Sequence, residues 1–209
     1  MTGPVADPYP LGPIVEAGVV FVHVPKTGGT SVARALYGTD GGGHRTVRDY
    51  RAELGDAFVD RAFVFAVVRD PVERLASAFR YLKAGGGNRL DAAFRDRVLG
   101  PYDTLDAFVR GWLSAETVRE QVHFRPQAEF VAGPGGAVDV DVVARHERLA
   151  EDYAAVRRRT GRGGPLPHLN RTAVAGAPPR PAPALSAEAR ARVRDLYRAD
   201  FDLFGYPPP

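Results

Sequence analysis

Apolar and polar positions along the chain fall into blocks with two distinct periods. Val19-Val20-Phe21-Val22-His23-Val24 is almost wholly apolar and β-branched, as expected of a strand buried on both faces. Ala62-Phe63-Val64-Phe65-Ala66-Val67-Val68 repeats that signature, and Val138 to Val143 is a third, weaker candidate. Between and after them the pattern turns helical. Thr30 to Tyr37 follows a glycine pair, and Thr46 to Leu54 reads as a short helix. Pro71 is well placed as the first residue of a helix running to about Lys83, which Gly85-Gly86-Gly87 ends. Further helices are expected over 90–98, over 103–122 with Leu105, Phe108, Val109 and Trp112, and from Glu147 to Arg159. Ser186 caps a last helix whose Val193, Leu196, Tyr197, Phe201 and Phe204 share one stripe. The stretch from Pro165 to Pro183 holds six prolines and little periodicity, which predicts a surface loop.

Strands interleaved with helices predict an α/β fold with a central, mainly parallel sheet flanked by helices. With 209 residues the expectation is a single domain over 19–206, with an extension at 1–18, the proline-rich loop 165–185 inside it, and a tail at 207–209. Composition narrows the function classes. No apolar run reaches the ~18 residues of a membrane span, and residues 1–18 carry no Lys or Arg, unlike a secretory signal. The expected setting is cytoplasmic, without a membrane partner. The absence of cysteine excludes disulfides, thiolate catalysis and Cys-ligated metals, and no other ligand cluster suggests a metal. A net charge of +3 with no basic block gives no footprint for nucleic acid. Only two lysines, Lys26 and Lys83, stand against 26 arginines, a bias toward arginine that codon usage alone can produce. Each lysine is worth examining because arginine cannot replace a compact ammonium everywhere.

In folds of this class ligands bind beyond the carboxyl ends of the strands, and two strand–loop–helix junctions lie there. The first is Pro25-Lys26-Thr27-Gly28-Gly29-Thr30-Ser31. Its glycines let backbone N–H groups converge on an anion, the hydroxyls of Thr27, Thr30 and Ser31 can donate, and the helix N-terminus adds its dipole. No acid lies between residues 17 and 39. The nucleotide-triphosphatase loop is excluded, because there the lysine follows the glycines and here it precedes them. The second junction is Arg69-Asp70-Pro71-Val72-Glu73-Arg74-Leu75-Ala76-Ser77. Arg69 at a strand tip and Ser77 two turns along a helix suit one phosphate gripped from two sides. Taken alone, Arg69 fits a structural salt bridge equally well, and Arg74 and Arg80 read as surface cations or partners of Asp70 and Glu73.

Together these motifs resemble those of the carbohydrate-type sulfotransferases, which use 3′-phosphoadenosine 5′-phosphosulfate (PAPS). The resemblance extends from about residue 19 to 206 through His44-Arg45-Thr46, His123-Phe124-Arg125-Pro126-Gln127, Pro167-His168-Leu169-Asn170 and the closing Asp200-Phe201 to Gly205-Tyr206. It implies a P-loop-like nucleotide-binding fold and a soluble enzyme that needs no metal. Lys26 would contact the 5′-phosphate and the leaving oxygen, with Thr27, Gly28, Gly29, Thr30 and Ser31 around the phosphosulfate. Arg69 and Ser77 would hold the 3′-phosphate.

An acceptor hydroxyl needs a base, and histidine is suited to that work. The resemblance favours His44, with His123, His168, Asp49 and Glu53 as alternatives. His23 reads as packing and His146 as structural. Arg125, Gln127 and His168 fall in stretches that resemble the acceptor side, and the acceptor itself would be a small molecule or a glycan. Two competing readings stand beside sulfuryl transfer: an ATP-dependent, kinase-like phosphoryl transferase, and a non-catalytic nucleotide- or glycan-binding module.

Overall fold

A computed structural model of the chain describes residues 9–39, 43–167 and 184–209. Helix α1 (Gly12–Ala17) leads into strand β1 (Val19–Val22), followed by α2 (Gly29–Tyr37), α3 (Val47–Leu54) and α4 (Asp56–Val59). Strand β2 (Phe63–Val68) precedes α5 (Pro71–Lys83), α6 (Arg89–Phe94), α7 (Leu105–Gly111) and α8 (Ala128–Val131). Strand β3 (Val142–Arg145), α9 (Leu149–Thr160), α10 (Ala187–Leu196) and α11 (Arg198–Phe204) complete the order. The chain forms two compact units. Among the described residues the first comprises 9–68 and 130–167, and the second 69–129 and 184–209.

The first unit holds the sheet. Its three strands run parallel in the order β1-β2-β3, with Phe21 opposite Phe65 and Phe65 opposite Val142. On one face Phe21, Phe65, Val67 and Ala144 pack with Val32, Ala33 and Leu36 of α2 and with Tyr153 and Val156 of α9. The alternate residues Val20, Val22, Val64, Ala66 and Val68 are buried too, which is why the strands read as unbroken apolar runs. β1 is an edge strand, and the Tyr37 phenol bonds two groups on its outer side. The Tyr37 hydroxyl donates to the Val19 carbonyl at 2.8 Å and accepts from the Phe21 N–H at 2.9 Å. Burial pushes the Tyr37 pKa well above its ordinary value, so the hydroxyl keeps its proton. This contact fastens the last turn of α2 to the edge of β1, and so fixes where the first turn of α2 points.

The third strand begins later than its apolar pattern suggests, at Val142 rather than Val138. Val138 makes only an isolated bridge to Ala132. The Asp139 carboxylate is drawn off by Arg51, whose Nε and Nη2 donate at 2.6 and 2.9 Å. Asp141 accepts from the Val64 N–H at 2.8 Å, which sets the register of β3 against β2.

The second unit is built around aromatic side chains. Phe79, Phe94, Phe108, Trp112 and Phe124 have neighbouring ring centroids 4.9–6.2 Å apart. The helix expected over 103–122 stops at Gly111, because the Thr117 hydroxyl donates to the Trp112 carbonyl at 2.7 Å and accepts from the Ser114 N–H. The last helix begins at the Ser186 cap, as its sequence predicts, but breaks at Tyr197 (φ −109°) into α10 and α11.

Tyr37→Phe keeps the ring and removes only the hydroxyl, leaving a buried donor and acceptor of β1 unpaired. Urea denaturation should show a loss of about 1–3 kcal/mol with an unchanged slope. A loss below about 0.5 kcal/mol would mean that the edge of β1 is satisfied in some other way.

Candidate active site

The chain leaves β1 through a tight bend, with Val24 N–H donating to the Val22 carbonyl at 3.1 Å, and then turns at Pro25-Lys26. Lys26 has φ +69° and is the sole non-glycine residue with positive φ among the described residues. Proline followed by a positive φ is the pattern of a type II turn, in which glycine is the usual third residue. A side chain in that conformation costs about 1–3 kcal/mol and persists only where its surroundings hold it. The Thr27 hydroxyl closes the turn by donating to the Val24 carbonyl at 2.9 Å. Gly28, at φ +89°, then opens α2, whose first N–H groups receive no side-chain cap and whose first turn holds no acid. Uncapped donors at the positive end of a helix dipole form an anion site. Lys26 stands half-buried beside it, and Thr30 and Ser31 sit in the same first turn.

Two imidazoles wedge the glycines. A Cβ on Gly29 would overlap the His23 ring, and one on Gly28 would lie 3.3 Å from His146 Nδ1 and 2.9 Å from a Leu149 methyl. Glycine is therefore required at position 29 by sterics, and at position 28 chiefly by its positive φ. His23 also meets the His44 ring edge-on, with centroids 4.6 Å apart, so the loop and His44 share one neighbour. His44 Nδ1 lies 3.0 Å from the His23 carbonyl. A carbonyl only accepts, so Nδ1 carries the proton, and Nε2 of the neutral ring is the basic nitrogen.

The second junction is organised by a buried polar network within the second unit. Gln127, fully buried, grips the Arg69 backbone with both ends of its amide. Its Oε1 accepts from Arg69 N–H at 2.9 Å, and its Nε2 donates to the Arg69 carbonyl at 2.8 Å. The N–H groups of Gln127 and Ala128 in turn donate to the buried Asp200 carboxylate at 2.9 and 2.8 Å. Burial pushes the Asp200 carboxyl above its ordinary pKa, opposed by the Arg74 guanidinium and by those N–H donors. Arg74 is fully buried, donates to the carbonyls of His123 and Arg125, and lies over the Tyr197 ring. The Arg69 side chain pairs with Glu73 at 3.6 Å. Glu73 and Ser77, four residues apart on α5, share one side of that helix.

Several expectations change at this point. The Thr27 hydroxyl is spent inside the turn, where it donates to the Val24 carbonyl. Gln127, expected to meet an acceptor, is sealed from solvent and positions Arg69 instead. Arg74 is a buried structural cation rather than a surface one, whereas Arg80 is exposed. Arg125 is one-third exposed and paired with Glu129 at 2.9 Å. Asp49 accepts from Thr46 in a capping box at the start of α3, and Glu53 pairs with Arg45. His123 is buried with Nε2 3.6 Å from Asp91. His168, Asn170 and most of the proline-rich loop lie outside the described residues. Sequence patterning missed the roles of Arg74 and Asp200, although each falls on the apolar stripe of its helix, where a charge signals a buried partner.

Among the described residues no group of His, Asp and Glu is arranged to hold a metal ion, and no helix is long and apolar enough to cross a membrane. A family model described as the sulfotransferase family matches residues 16–207. No curated protein and no solved structure gives a significant match.

Gly29→Ala should destabilise the chain by about 1–3 kcal/mol through the clash with His23, and adding His23→Ala should recover part of that loss. Strict additivity of the two substitutions in a double-mutant cycle would contradict the wedge. Arg74→Met strands Asp200 without its cation and should cost about 3–5 kcal/mol, whereas Arg80→Met should stay within about 0.5 kcal/mol. Equal thermal shifts for the two would contradict the network.

Proposed function

This chain belongs to the sulfotransferase family, and we propose that it transfers the sulfuryl group of PAPS to a hydroxyl of a carbohydrate or glycosylated metabolite. The observation that carries the reading is the turn at Lys26. A lysine is held in a glycine-like conformation at the mouth of an uncapped, acid-free helix N-terminus, in a chain that otherwise uses arginine almost throughout. The cradle fits a phosphosulfate group, because the first turn of α2 carries neither a side-chain cap nor an acid. When bound, PAPS supplies an activated sulfuryl group on a leaving phosphate.

Each residue then has a role set by its chemistry. The N–H groups of Gly28, Gly29 and Thr30 and the hydroxyls of Thr30 and Ser31 bind the anionic oxygens. The Lys26 ammonium neutralises charge that builds on the leaving oxygen as its bond to sulfur breaks, a fixed charge acting where the transition state needs it. His44 takes the acceptor proton at Nε2 as the acceptor oxygen bonds to sulfur, and the Nδ1 hydrogen bond keeps the ring in that tautomer. Arg69 and Ser77 bind the 3′-phosphate, and their placement rests on the Gln127 clamp and the helix α5. Arg125 binds the acceptor.

A thermal-shift titration with 3′-phosphoadenosine 5′-phosphate, beside ADP and 5′-AMP and without magnesium, tests the donor. Ligand at 100 times its dissociation constant stabilises by ~2.7 kcal/mol, which for a chain of this size raises Tm by roughly 5–10 °C. The shift should require the 3′-phosphate. A response to ATP with magnesium and none to the 3′-phosphorylated nucleotide would favour the kinase-like reading. Lys26→Ala should lower turnover by about 10²–10³-fold while weakening binding of the sulfate-free nucleotide far less. Equal losses in both would remove its transition-state role.

A further inference from the structure

His146 is 119 residues from Thr27 in sequence, yet its Nδ1 lies 2.9 Å from the Thr27 carbonyl. It stands in the short 3₁₀ turn His146–Arg148, between the end of β3 and the start of α9. The carbonyl it holds belongs to the Thr27–Gly28 peptide. In a trans peptide the C=O and N–H point in opposite directions, so holding the Thr27 oxygen toward His146 aims the Gly28 N–H the other way. The same ring edge lies beside Gly28, 3.3 Å from where a Cβ would be. One imidazole thus fixes both the rotation of this peptide plane and its position. The plane lies one residue beyond strained Lys26, whose φ is +69°.

We propose that His146 is a positioning residue for the sulfuryl donor, holding the Thr27–Gly28 peptide so that the Gly28 N–H is presented to the donor's 5′-phosphosulfate. This inference rests on the donor reading above and assigns His146 no contact with the donor itself. The hydrogen bond needs only a donor at Nδ1. The neutral Nδ1–H tautomer and the imidazolium both supply it, so the role requires no change of charge.

A pair of nearly isosteric variants tests the proposal. The Asn amide nitrogen falls close to where His places Nδ1, whereas Leu has the same branching and no donor. Calorimetric titration with 3′-phosphoadenosine 5′-phosphate should give His146→Asn a Kd within about 2-fold of wild type. His146→Leu should bind about 3- to 10-fold more weakly, the size of one neutral hydrogen bond. Amide resonances of Lys26, Thr27 and Gly28 in the ligand-free protein should move in His146→Leu and stay near wild type in His146→Asn. Equal Kd values and equal spectra for Asn and Leu would overturn the positioning role and leave His146 as packing. If the wild-type protein fails to bind the nucleotide, the donor reading fails. The ligand-free spectra then still decide whether His146 holds the loop.

Discussion

The backbone at Lys26 is the constraint on which the first unit's site depends. A lysine with φ +69° is held against its own preference, and the compensation is visible around it. Pro25 presets the first half of the turn, the Thr27 hydroxyl closes it onto Val24, and His146 holds the next carbonyl. Further back, Tyr37 fastens the far end of α2 to β1, so the helix cannot tilt away from the strand that feeds it. Glycine in place of lysine would relieve the strain and delete the ammonium. That a side chain is kept there, in a chain with two lysines, is the physical argument that its charge has work to do.

The second unit solves a different problem. Arg69 follows directly on the last residue of β2, where its backbone would otherwise leave the sheet with nothing to bond. Gln127 supplies the missing partners as if it were a short piece of strand, and Asp200 orients Gln127 through two backbone N–H groups. The cost of burying the Asp200 carboxylate is set against the field of Arg74, and the cost of burying Arg74 against two carbonyls and an aromatic face. Removing any member exposes the desolvation cost of the others. Residues from α5, the 123–128 segment and α11 therefore act as one support for Arg69.

How much of this is legible in the sequence follows from how local each feature is. Strands β1 and β2, helices α2 and α5 and both junctions depend on neighbouring residues, and patterning finds them with bounds within one or two positions. The Asp70 and Thr46 caps are equally local. The start of β3 is not, because Arg51 and Val64 from distant segments recruit Asp139 and Asp141. The same holds for Gln127, which looks like a surface residue until Arg69, 58 positions earlier, occupies both ends of its amide. His146 gives no periodic signal, since a half-buried residue after a strand fits many environments. Arg74 and Asp200 carry a signal that apolar patterning passes over, namely a charge on a buried stripe. The family resemblance supplies the reaction class, and the geometry supplies the tautomer of His44 and the support of Arg69, which motifs alone do not contain.

The most direct measurement is a backbone ¹H–¹⁵N titration of the wild-type protein with 3′-phosphoadenosine 5′-phosphate and, separately, with 5′-AMP. If the turn at Lys26 holds the 5′-phosphate, the amides of Gly28 to Ser31 shift most with both nucleotides. Resonances at Arg69 and Ser77 should then respond only when the 3′-phosphate is present. Saturable binding that leaves the Gly28 to Ser31 amides unmoved would contradict the assignment of this loop to the donor.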